Sequence, residues 1–196
     1  MSTFVMKVDI FSFIRQLTDL KVLILMKTGY VTIGLTNPKS PTNVGAVMRA
    51  AGCYQVDGVF YTGERYARAA RFNTDTKGVS ESIPLTGVNS LLESIEDGTK
   101  VICVDLIEGA IPLPQFSHPD KAFYIFGPED GTISQHVIDH ADAVVYVPTV
   151  GCMNLAASVN VLLYDRLAKA DDIVASDELI RLSRDTNNKV KVKGQL

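Results

Sequence analysis

Short apolar runs alternate along this chain with segments whose apolar residues return every three or four positions. The runs are Val31–Leu35, Gly58–Tyr61, Val101–Val104, Ala122–Phe126 and Ala143–Val147. Continuous apolar runs of this length, bounded by polar and turn-forming residues, fit strands covered on both faces. Between them, the spacing predicts helices over Asn43–Ala51, Asn89–Ile95, Ser134–His140 and Asn154–Ala168, with a further one over Asp177–Ser183. The clearest is Asn154–Ala168. Leu155, Val159, Leu162, Leu163 and Leu167 form one stripe, and Asn154 stands where an N-cap belongs. Strand and helix in alternation predict an α/β fold: a mostly parallel sheet with helices on both faces. The final "NNKVKVKGQL" reads as loose, and no internal repeat is visible.

The first 25 residues differ in kind. They mix apolar and charged residues and end just before "MKTGYVTIGL", so residues 1–25 read as an extension or as an extra packing helix. Residues 26–170 then form the functional domain, and residues 171–196 a closing helix and tail. The 196 residues suit one domain. Apolar residues make up 46% and charged residues 21%, which indicates neither disorder nor a membrane protein. Val22–Met26, the longest apolar run near the N-terminus, is far short of the roughly 20 residues that cross a bilayer. Nor does the start read as a signal peptide. Cys53, Cys103 and Cys152 form no CxxC pair and have no His at metal-ligand spacing. They read as reduced thiols of a cytoplasmic protein. A formal net charge of -3 argues against a broad electrostatic grip on nucleic acid but leaves room for a local basic patch.

Parallel sheets bind ligands at the carboxyl ends of their strands, so the chemistry is sought just after each run. After Val31–Leu35 comes "TNPKSPTNVGAVMRAAG". Val44, Val47, Met48 and Ala51 make the buried stripe of its helix, which leaves Arg49 off that stripe, facing either water or a ligand. After Ala122–Phe126 comes "FGPEDGTIS", whose Gly127 and Gly131 either make a tight turn or open backbone groups to a ligand. After Ala143–Val147 comes "VPTVGCMNLAAS", where Asn154 serves as a cap at least, and Cys152 reads as a small buried thiol rather than a nucleophile. Neither GxGxxG nor GxxxxGK[ST] is present, which disfavours a flavodoxin-like or Rossmann oxidoreductase and an NTP site.

In order and content these three stretches resemble the SpoU/TrmH family of SPOUT RNA methyltransferases. The match is N-x-G-A-x-x-R in "NVGAVMR", F-G-P-E-x-G in "FGPEDG" and M-N-L-A-x-S in "MNLAAS", ahead of a helix ending "LLYDRL". The resemblance implies a C-terminal deep trefoil knot, rare among folds. It implies S-adenosylmethionine as cofactor, a homodimer whose sites are completed by the partner copy, and methyl transfer to a ribose 2'-hydroxyl of tRNA or rRNA. Neither a metal nor DNA is expected. An RNA-binding module that keeps the fold with little or no activity is the alternative.

By the same matching, Arg49, Asn43, Glu129 and Asn154 are the catalytic candidates. A guanidinium stays protonated, so Arg49 would orient the ribose or phosphate and stabilise developing charge rather than take a proton. Asn43 would position Arg49 or the ribose, and Glu129 would partner an arginine or the ligand. Asn154 would lie near the reacting centre. Leu106, Phe126, Gly127, Gly131, Val147, Cys152, Met153 and Leu155 would contact the cofactor. Two features depart from the family pattern: Cys152 stands where serine is usual, and the loop from Pro148 to Asn154 is short. For RNA, Arg65, Arg68 and Arg71 recur at i, i+3, i+6 with Lys77 behind, a candidate phosphate-binding face that reads equally as a solvated one.

Overall fold

The computed structural model describes residues 29–70, 83–171, 173, 175–184, 186 and 189–194. Residues 1–25, Arg71 and Lys77 lie outside them. Residues Thr28–Asp171 form one compact unit, built on a seven-stranded sheet. Its strands are β1 (Tyr30–Leu35), β2 (Gly58–Tyr61), β3 (Leu85–Gly87), β4 (Lys100–Val104), β5 (Ile111–Pro112), β6 (Lys121–Phe126) and β7 (Ala143–Tyr146). The spatial order is β3-β2-β1-β6-β4-β7-β5, and every pair is parallel. The sheet is thus more uniform than the expected mostly parallel one.

Alternation along the strands divides the core in two. Val31, Ile33 and Leu35 of β1 join Tyr124 and Phe126 of β6 on one face, under α1 (Pro41–Cys53) and α4 (Leu155–Ala168). On the other face Phe123 and Ile125 of β6 meet Val101 and Cys103 of β4, packed with Leu91, Ile133 and α3 (Gln135–Asp139). Both faces are therefore covered, which is why the strands read as continuous apolar runs. Helix α1 starts with Pro41 at its first turn and Ser40 as N-cap, whose hydroxyl accepts from the Asn43 amide. A short helix α2 (Arg65–Ala70) follows β2, and outside the compact unit α5 (Asp177–Ser183) is capped by Ser176. Among the described residues no helix is long and apolar enough to cross a membrane.

The segment expected to be helical over Asn89–Ile95 holds only a 3-10 turn, Leu92–Ser94. The Ser94 hydroxyl donates to the Ser90 carbonyl at 3.1 Å, a local bond that competes with helix propagation. Strands β3 and β5 are short edge strands that no apolar run in the sequence marks, and β5 contains Pro112, tolerated at a sheet edge. On α4 the buried stripe ends in Arg166 rather than Leu167, which is only partly covered.

Beneath Arg166 lies a buried polar cluster. His118 pairs through Nδ1 with the Tyr124 hydroxyl at 2.7 Å and through Nε2 with Asp165 at 2.9 Å. Burial lowers the His118 pKa; the Asp165 hydrogen bond opposes this, and the charges of Arg166 and Lys169 reinforce it. The fold therefore holds neutral His118 more firmly than the unfolded chain does, whose histidines titrate near ~6.5. Protonation favours the unfolded chain, so stability falls as pH drops below ~6.5 and levels off once pH is below the folded value. Thermal melts between pH 7 and pH 5 should show a smaller loss for His118→Asn than for the wild type. An equal loss in the two would show that His118 titrates alike in both states.

Candidate functional site

Strand β6 lies between β1 and β4, although both precede it in the chain, so connections diverge around its carboxyl end. In parallel sheets such a switch point leaves a crevice for a ligand. Here the loops after β4, β6 and β7 and the first turn of α4 enclose a cavity of about 140 Å³. Leu106, Phe126, Gly127, Gly131, Val147, Cys152, Met153 and Leu155 all line it, together with Asp105, Glu129 and Ser158. Its lining mixes apolar residues with the polar Asp105, Glu129, Thr149 and Ser158.

Asp105 holds two of those loops together. One carboxylate oxygen accepts from its neighbour Leu106 N at 2.8 Å, the other from Ile133 N, across the β6 loop, at 2.9 Å. A Cβ on Gly127 would lie 2.7 Å from that second oxygen, so glycine is what lets the carboxylate in. Sequence reasoning missed Asp105. The available signal was its place as the first polar residue after the apolar run of β4.

Beside the cavity the three sequence motifs meet through side chains. Glu129 accepts from the Asn43 side-chain amide at 3.0 Å and from the backbone N–H groups of Ser40 at 3.2 Å and Lys39 at 2.9 Å. Asn43 in turn accepts from Asn154 Nδ2 at 2.9 Å. Asn154 Oδ1 caps α4, accepting from Ala156 N at 2.9 Å and Ala157 N at 3.4 Å. Donor and acceptor chemistry fixes the direction of this relay. The helix N–H groups demand the oxygen of Asn154, which leaves its NH₂ for Asn43; the carboxylate can only accept, which demands the NH₂ of Asn43. Both ends impose the same orientation. Partial burial raises the Glu129 pKa, but the bonds from Asn43, Lys39 and Ser40 outweigh it and hold the carboxyl below its usual range.

Arg49 stands apart from this relay. It is exposed on α1, its side chain makes no hydrogen bond or ion pair with another described residue, and it does not line the cavity. The two described arginines of the candidate RNA face are both engaged: Arg65 binds Asp130 and the Asn37 carbonyl, and Arg68 pairs with Glu64 on the preceding turn. The expectation of a small buried thiol at Cys152 is corrected, since Cys152 is exposed. Its loop turns outward at Gly151, φ 91°, tied by Thr149 to the Gly151 carbonyl at 3.1 Å. Cys53 is exposed too, whereas Cys103 is buried, and burial with the nearby Asp105 charge pushes its pKa up to about 12. Among the described residues no three His, Cys, Asp or Glu gather as metal ligands would.

Residues 30–164, more than half of the chain, match the model of the SpoU rRNA Methylase family. The chain belongs to that family. A tRNA/rRNA methyltransferase of Mycolicibacterium smegmatis, itself uncharacterized, is 26% identical over 139 residues, 67% of this chain and 44% of that protein. This SpoU-family chain thus spans less than half the length of that relative. Among solved structures, the SpoU methyltransferase AviRb from Streptomyces viridochromogenes, in complex with AdoMet, is 20% identical with a TM-score of 0.61, over 72% of this chain and 58% of that one. A structure concerned with 2'-OH methylation of C/U34 on tRNA is likewise 20% identical, with a TM-score of 0.57 over 71% of this chain and 95% of that one. Likenesses at this identity establish the α/β fold of the SpoU-family chain.

The residues present fit S-adenosylmethionine. The cavity offers apolar walls for a flat ring at Leu106, Val147, Met153 and Leu155, backbone groups for its polar edge, and at Gly127 a surface free of any side chain.

Proposed function

We propose that this chain is a S-adenosylmethionine-dependent RNA methyltransferase that acts on a ribose 2'-hydroxyl of tRNA or rRNA. The observation that carries this reading is the side-chain relay Glu129–Asn43–Asn154, which joins three distant segments beside a cavity made by three strand-end loops. The tRNA/rRNA methyltransferase relative and the likeness to a structure concerned with 2'-OH methylation support the choice of RNA ribose as acceptor.

In this reading Leu106, Phe126, Gly127, Gly131, Val147, Cys152, Met153 and Leu155 hold the cofactor. S-adenosylmethionine, when bound, supplies an electrophilic methyl group. An unactivated ribose hydroxyl is a weak nucleophile, so the protein's task is alignment and charge stabilisation. Asn43 and Asn154 each retain hydrogen-bonding capacity beyond the relay and offer it to the ribose. Arg49, its side chain free on the surface of α1, serves a site completed by a second copy in a homodimer, where its fixed charge orients the ribose and stabilises negative charge developing on the acceptor oxygen. Arg68, exposed beside Glu64, exchanges that partner for an RNA phosphate, with Arg71 and Lys77 following it in sequence. Residues 26–170 form the methyltransferase domain, knotted in its C-terminal part, and it works on RNA in the cytoplasm.

The test combines labelled S-adenosylmethionine with total tRNA and with rRNA, followed by mapping of the methylated position. Label is expected on a ribose, and the cofactor is expected to slow alkylation of the exposed Cys152. Label on a base would overturn the ribose assignment. No transfer, with Cys152 alkylated at an unchanged rate, would overturn the methyltransferase reading.

A further inference from the structure

We propose that Arg65 is a positioning residue of this site, a strut that sets the Glu129 loop against the backbone donors it meets. Arg65 opens α2, beyond the end of β2, and its guanidinium reaches two other loops at once. Nη1 donates to both carboxylate oxygens of Asp130, at 2.8 and 2.9 Å. Nε and Nη2 donate to the Asn37 carbonyl, at 3.0 and 2.5 Å. Asp130 is the residue after Glu129. Asn37 stands just ahead of Lys39 and Ser40, whose N–H groups Glu129 accepts. The loops after β1 and β6 are therefore cross-linked twice, once directly by Glu129 and once through Arg65, and the second link fixes the spacing at which the first is made.

The β1 loop is also held from the α2 side. Asn37 has a left-handed backbone, φ 42°, and its N–H donates to Thr62 Oγ1 at 3.1 Å. A Cβ at Gly63 would lie 2.2 Å from Asn37 Oδ1, so the turn leading into α2 is packed against the residue that Arg65 binds. Lys39, whose Nζ is 3.8 Å from Asp130, cannot replace Arg65, because an ammonium is a point charge and only a planar fork serves two loops in fixed directions. The Arg65 side chain is one-third exposed and that of Asp130 about half. Ion pairs so exposed contribute little to global stability. The strut's effect falls instead on the geometry of the site, where displacements of about 1 Å can cost ~100-fold in rate.

The rate effect rests on the methyltransferase reading; the geometric effect does not. The test uses the full chain with Arg65→Gln, Arg65→Lys and Asp130→Asn, and measures kcat, the cofactor KM, thermal midpoint and amide exchange at Lys39 and Ser40. Arg65→Gln should lower kcat about tenfold or more, with KM within about threefold. Its midpoint should stay within about 2 °C of wild type. The Lys39 and Ser40 amides should exchange faster, because Glu129 no longer holds them. Arg65→Lys should stay slow, since it restores charge without the fork. Unchanged protection of those two amides overturns the proposal whatever the rate. So does a kcat within about twofold of wild type, or a rate lost only in step with the thermal midpoint. If the wild type methylates no RNA, the functional reading fails and the amide exchange alone decides on the strut. If Arg65→Gln does not fold, Asp130→Asn is judged by the same readouts.

Discussion

Replacing Asn43 with alanine should lower methyl transfer by about 10²–10³-fold while leaving the fold in place. The carboxamide of Asn43 links Glu129 to Asn154, donating to one at 3.0 Å and accepting from the other at 2.9 Å. Its loss does not unseat either neighbour. Glu129 keeps the backbone donors at Lys39 and Ser40, and Asn154 keeps its cap on α4. The stability cost is thus that of two partly exposed hydrogen bonds, about 1–3 kcal/mol together. On the proposed function, what disappears is the common orientation of the three groups offered to the methyl acceptor beside the cavity. Single-turnover rates with saturating RNA and cofactor, set beside thermal melts, make the measurement. A rate within about threefold of wild type would mean that the relay braces the loops without serving the chemistry.

Much of this site was legible because its parts are marked locally. Each cavity-lining candidate lies at or after the carboxyl end of an apolar strand, and the sheet rule says where strand ends lead. The alternation of apolar runs and helical stripes fixed the parallel architecture, since strands covered on both faces must be apolar throughout. What escaped depends on partners distant in sequence. Asp105 looks like an ordinary loop acid until Ile133 N is brought to it. Arg65 looked like one of a basic row with Arg68, but its spacing on a short helix says nothing of Asp130, which arrives from the far side of β1. For the same reason the arginine row reads in sequence as a candidate phosphate-binding face or equally as a solvated one. Charge in sequence is visible, while the countercharge that consumes it is not.

Cys152 illustrates a different limit. Small thiols are most often buried, and the nearby Val150 and Met153 are apolar. The outward turn at Gly151 decides otherwise. Gly151 takes a left-handed φ of 91°, and the Cys152 that follows it is exposed among the residues lining the cavity.

The largest loss of stability is expected at Arg166, at the opposite end of α4 from Asn154. Arg166 continues the buried stripe of that helix, only 6% exposed, where periodicity would put an aliphatic residue. Its guanidinium donates to the carbonyls of Pro119 at 2.6 Å and Asp120 at 3.0 Å and to the Tyr124 hydroxyl at 3.0 Å. Lys169, one turn on, donates to the carbonyls of Leu113 and Phe116 at 2.6 and 2.9 Å. The end of α4 thereby supplies hydrogen bonds to the connection between β5 and β6, where the Asp120 carbonyl also accepts from Tyr30 N of β1 at 3.0 Å. Exchange of a whole buried ion pair for apolar side chains is often neutral, but Arg166→Met removes donors and leaves their acceptors in place. The expected cost is about 3–5 kcal/mol, a fall of roughly 10 °C in Tm for a domain of this size. Arg166→Lys should recover only part of it, because one ammonium cannot span both carbonyls and the tyrosine. Twelve helical residues, about 18 Å, separate Arg166 from Asn154, so Arg166→Met assayed well below its own Tm should retain methyl transfer. Stability and rate then part in opposite senses at Arg166 and Asn43. A midpoint for Arg166→Met within about 2 °C of wild type would mean that water replaces the guanidinium at those carbonyls, and that α4 does not anchor the connection.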